Sequence, residues 1–90
     1  MIPAPDRNRN GVLMLGVQCK MARVALGWGV RDLATKAKVS TQTVSRLEAG
    51  EELRDRTVAA IRAVFVRAGI EFIDENGGGP GVRLAKRRKR

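Results

Sequence analysis

The 90-residue chain has no histidine, no tyrosine and a single cysteine, Cys19; its aromatics are one tryptophan and two phenylalanines. Without histidine, catalysis by a histidine base and Cys/His zinc binding are excluded. One cysteine cannot form a disulfide framework within the chain. So few aromatics cannot build the stacking platform of a single-strand binder, and Trp28 reads instead as a core plug or hairpin contact. Long apolar runs are missing as well. The longest, Val12–Leu13–Met14–Leu15, falls far short of the ~20 residues of a membrane span. Arg7 and Arg9 precede the apolar stretch Gly11–Val17, but that stretch is short for a signal peptide and Gln18 is a poor residue before a cleavage point. The expectation is a cytoplasmic protein with a reduced thiol and no membrane contact.

Acidic residues are scarce too: nine Asp and Glu stand against eighteen Lys and Arg, a net charge of +9. That surplus favours polyanionic partners, nucleic acid first and an acidic protein or anionic membrane second. A chain this short has room for one cored domain. Residues 1–15 open with prolines and asparagines and read as a flexible N-terminal arm. From about Val17 the apolar pattern turns helical. Val17, Met21, Val24, Ala25 and Trp28 line up on one face, which is expected to point inward. Gly27 and Gly29 are expected to end that helix.

Val30, Leu33, Ala34 and Ala37 give a second, short helix. Lys38–Val39–Ser40 interrupts it, and Ser40 is a good N-cap for a third helix with Val44 and Leu47 inward, closed by Gly50. A charged loop leads to a fourth helix, about Arg56 to Ala68, with Val58, Ile61, Val64, Phe65 and Ala68 on its inner side. Beyond Gly69, Ile70–Ile73 and Val82–Leu84 flank a glycine-rich loop and suggest a hairpin. The hairpin, residues 69–85, is a candidate dimer contact, since an unpaired strand edge invites a second chain. Residues 86–90 are a basic tail that can add non-specific phosphate contacts. The glycine run 77–81 lacks the Gly-Lys-Ser/Thr of a phosphate cradle and reads as loop.

The most informative stretch is 30–49: two short helices around a three-residue turn, as a helix-turn-helix requires. Leu33, Ala37, Val39, Val44 and Leu47 fill the wedge between them, and Ala34 sits where their axes approach. Thr41, Gln42, Ser45 and Arg46 are left facing outward, and all four types can hydrogen-bond base edges.

Residues 23–50, RVALGWGVRDLATKAKVSTQTVSRLEAG, resemble the lambdoid phage repressor and Cro (XRE-like) family of helix-turn-helix DNA-binding proteins, over about residues 16–68. The resemblance implies a mainly α fold, a four-helix repressor-like domain with a short C-terminal β-hairpin. It also implies a sequence-specific transcriptional regulator, usually dimeric, on a palindromic operator in double-stranded DNA. By that likeness the start of the second motif helix enters the major groove with Thr41, Gln42 and Arg46 at base edges. Gln42 would pair with adenine and Arg46 with guanine. Ser40 and Thr43, with Arg54 and Arg56 in the following basic loop, would hold phosphates. Arg23 and Glu48 are the expected structural ion pair.

Two positions depart from the family pattern. Lys38 occupies the turn position usually held by glycine, and Val30 replaces a frequent phosphate-binding glutamine. No metal, cofactor, small-molecule ligand or catalytic group is expected: Glu51–Glu52 and Asp74–Glu75 face no base or nucleophile and read as solvated. The competing reading is a basic protein-interaction module, antitoxin-like or an anti-activator, that seizes an acidic protein.

Overall fold

The computed structural model describes residues 14–85; the arm up to residue 13 and the tail from residue 86 lie outside the described residues. In chain order the elements are α1 (Gly16–Ala25), α2 (Val30–Ala37), α3 (Thr41–Glu48), α4 (Asp55–Arg67), β1 (Ile70–Ile73) and β2 (Gly81–Leu84). The fold is therefore mainly α, four helices followed by an antiparallel hairpin in the register Ile70↔Leu84 to Ile73↔Gly81.

One core joins all four helices to the hairpin. Leu33, Val44, Ile61 and Phe65 are fully enclosed at its centre, with Met14, Leu47, Val58, Val64 and Ile70 around them. Trp28 stacks on Phe65, ring centres 5.8 Å apart, and Phe72 meets Phe65 edge-on at 6.2 Å. The hairpin is thus stabilised through its aromatic contact with α4, which an isolated two-stranded ribbon lacks.

The first helix departs most from the sequence reading. Trp28 of its apolar stripe packs on the core and Met21 is half-buried, but the rest does not point inward: Val17 and Val24 are 51% and 63% exposed, and Ala25 is exposed too. The buried face carries Gln18, Cys19 and Ala22 instead. The reason is close packing. A Cβ on Gly16 would collide with the Leu47 carbonyl, so α1 starts nearly in contact with the backbone end of α3. Small side chains on that side, Cys19 and Ala22, allow the same approach further along. Gln18 tolerates full burial because its polar atoms are bonded. Its Oε1 accepts from Leu15 N at 2.9 Å, and its Nε2 donates to the carbonyls of Ile73 and Gly81 at 3.1 and 3.0 Å. A buried amide costs little once its donors and acceptor are paired.

Smaller differences follow. Met14, assigned by composition to the arm, is buried in the core. Gly29 does not close α1 but caps α2, where its N–H donates to Asp32 Oδ2 at 2.7 Å. Ala68, expected on the inner side of α4, is exposed just past its last turn.

Candidate nucleic-acid interface

The motif is built from local backbone chemistry. α2 ends at Lys38, which takes the left-handed conformation (φ 59°, ψ 45°) with a lysine where glycine would be unstrained. Val39 N donates to Ala34 O at 3.0 Å, which reverses the chain toward α3. Ser40 then caps α3: its Oγ accepts from Thr43 N at 3.0 Å and lies 2.8 Å from Thr43 Oγ1. That cap satisfies an otherwise orphaned amide at the helix start. Leu33 and Ala34 of α2 and Val44 and Leu47 of α3 are buried between the two helices, with Ala37 and Val39 half-buried at the margin.

What remains of α3 is open. Thr41, Gln42, Ser45 and Arg46 are all exposed on one side, and none is covered by the hairpin. Ser40, Thr43, Arg46 and Arg54 border one shallow depression between the start of α3 and the start of α4. Arg54 occupies the N-cap position of α4 and Arg56 its first turn, so both lie at the helix start rather than wholly in a loop. The structure thus gathers Ser40, Thr43 and Arg54, while Arg56 sits exposed one step further along α4.

Arg23 and Glu48 meet in a two-pronged pair. Arg23 Nε donates to Glu48 Oε2 and Nη2 to Oε1, each at 2.9 Å. Nη1 donates to the Trp28 carbonyl at 3.1 Å. Both side chains are largely enclosed, 14% and 9% exposed. The bond to Glu48 raises the Arg23 pKa further, so the guanidinium holds its charge despite its burial. Cys19 Sγ donates to Glu48 Oε2 at 3.4 Å. Burial, with the Glu48 charge behind it, pushes the thiol pKa well above its ordinary 9.0 and keeps it a thiol. Together these bonds tie α1, the α1–α2 turn and the end of α3, and so set the pitch of the α3 surface.

Sequence reasoning missed three participants. Gln18 carries no signal, since a glutamine in an apolar helix resembles a surface residue. Gly16 could have been found only by knowing that α1 touches Leu47. Glu51, read as solvated, is half exposed but bonded: Arg46 Nε donates to its Oε1 at 2.9 Å.

Two crossed helices, the second capped and polar on its open side, define a DNA-binding helix-turn-helix domain. The profile of the Helix-turn-helix family matches residues 20–65, from within α1 to within α4. The chain belongs to this family, of the repressor and Cro (XRE) type, and is a DNA-binding helix-turn-helix regulator. No curated protein and no solved structure matches it. The family is one of double-stranded DNA binders and is not typically enzymatic. Among the described residues no helix is long and apolar enough to cross a membrane.

Proposed function

We propose that the protein is a cytoplasmic repressor that reads a palindromic operator in the major groove as a homodimer. The observation that carries this reading is the capped α3, whose Thr41, Gln42, Ser45 and Arg46 are exposed together. Gln42 is suited to the N6/N7 edge of adenine and Arg46 to the O6/N7 edge of guanine, with Thr41 and Ser45 bonding neighbouring edges. Ser40, Thr43, Arg54 and Arg56 hold phosphates on either side, and the +9 charge supplies non-specific attraction.

The small size of the module supports the dimer. One such module buries only about 600–1,000 Å² on DNA, which binds weakly alone. The hairpin, whose two strands pair only with each other among the described residues, is the proposed subunit contact. The exposed Val17 and Val24 on α1 and Leu84 on β2 support an interface there, since these two elements pack together.

Footprinting with the full chain on DNA upstream of its own gene tests the proposal. Two protected half-sites centred about 10–10.5 bp apart are expected. Uniform coating without discrete protection would sink it, as would stable capture of an acidic protein that Gln42→Ala and Arg46→Ala leave untouched.

A further inference from the structure

We propose that Glu51 is a specificity-determining residue: it fixes Arg46 so that the two terminal nitrogens of the guanidinium are the edge presented to a base. The inference rests on the reading of α3 as the groove-facing helix. It starts from how α3 ends. Gly50 takes φ +95°, Gly50 N donates to Leu47 O and Glu51 N donates to Arg46 O, each at 3.0 Å. This reversal places the residue after the glycine against the residue five positions earlier, where an apolar contact is usual. Here the two facing side chains are an arginine and a glutamate.

The pairing is selective within the guanidinium. Glu51 Oε1 engages Nε, and among the described residues neither Nη has a partner. A guanidinium offers two forked edges that matter here, one made by Nε with a terminal nitrogen and one by the two terminal nitrogens. With Nε occupied, the terminal edge remains for the paired acceptors of guanine. Both side chains are about half exposed, 51% and 53%, so the pair contributes little to stability. Its effect is to remove rotamer freedom that Arg46 would otherwise lose on binding.

Glu51 also opposes binding, because a carboxylate at the groove rim repels phosphates. A residue that orients a reader while weakening general attraction increases discrimination twice over. Removing it must therefore move two quantities in opposite directions: preference for guanine falls and affinity for arbitrary duplex rises.

The test is selection from a pool of randomised duplexes with the full-length wild type, Arg46→Ala, Glu51→Ala and Glu51→Gln, with thermal midpoints measured alongside. The expected result has four parts. Arg46→Ala erases a guanine from the selected motif, and Glu51→Ala weakens that same guanine about tenfold, part of what one bidentate contact carries. Glu51→Gln, which keeps an acceptor for Nε, retains most of the preference. Both Glu51 variants bind unselected duplex more tightly, at an unchanged melting point. An unaltered motif in Glu51→Ala overturns the inference. So does loss of a cytosine at a position that Arg46→Ala leaves intact, because Glu51 would then be reading a base itself. If the wild type selects no motif, the groove-facing reading of α3 fails first and takes this inference with it.

Discussion

Removing the Glu48 carboxylate strands a guanidinium inside the domain, and the size of the penalty can be worked out. In Glu48→Ala, Arg23, only 14% exposed in the intact pair, loses both 2.9 Å bonds and keeps one to the Trp28 carbonyl. Breaking one side of such a pair costs about 3–5 kcal/mol. A domain of this size shifts by about 4–8 °C per kcal/mol, so melting should fall by roughly 12–40 °C. The intact pair, by contrast, stabilises little relative to apolar groups of similar volume. The joint replacement Arg23→Met with Glu48→Leu should therefore cost less than Glu48→Ala alone. Urea unfolding followed by far-ultraviolet circular dichroism measures both, and Glu48→Gln, which keeps the shape, serves if the alanine variant does not fold. A Glu48→Ala loss below about 1 kcal/mol, or a double variant equal to the sum of the two single changes, would refute the reasoning.

Three further outcomes follow from the same packing. Gly16→Ala forces α1 off the Leu47 carbonyl, so it should lower stability by about 1–3 kcal/mol, against the usual gain from Gly→Ala in a helix; denaturant melts check this. Gln18→Leu removes bonds to Leu15, Ile73 and Gly81, and the orphaned groups should cost about 2–4 kcal/mol. Faster amide exchange in β1 and β2 than in α3 would place that loss at the hairpin. Cys19 gives a pH dependence. Its folded pKa is raised, so its stabilising effect is complete below 9.0 and declines above it, as the unfolded thiol ionises and the folded one does not. Cys19→Ala should flatten the alkaline limb of the stability curve, and an unchanged slope would contradict the burial argument.

Residues 30–50 were legible because their signals are local. A serine cap, a glycine stop and apolar positions at i, i+3 and i+4 each act within one or two turns, and the side left polar is then settled by elimination. The glutamate closing α3 and the arginine in α1 were legible only through family likeness, since no spacing rule links positions 23 and 48. The inward face of α1 was misread for a physical reason. Periodicity marks an apolar stripe but does not say that it is the buried one. In α1 a close backbone approach at Gly16 and a fully bonded Gln18 outweigh the burial of two valines. The ion pair of Arg46 with Glu51 was hidden likewise, because it depends on a chain reversal after Gly50 rather than on helical spacing.

In the proposed complex the open side of α3 meets base edges in the major groove, with Arg46 on a guanine. Methylating guanine N7 blocks that edge without disturbing pairing, so interference by methylation on a footprinted site is the most direct measurement. Interference is expected at a guanine in each half-site with the wild-type protein, and none at those guanines with Arg46→Ala. Binding indifferent to N7 methylation, or an interference pattern identical in the two proteins, would contradict it.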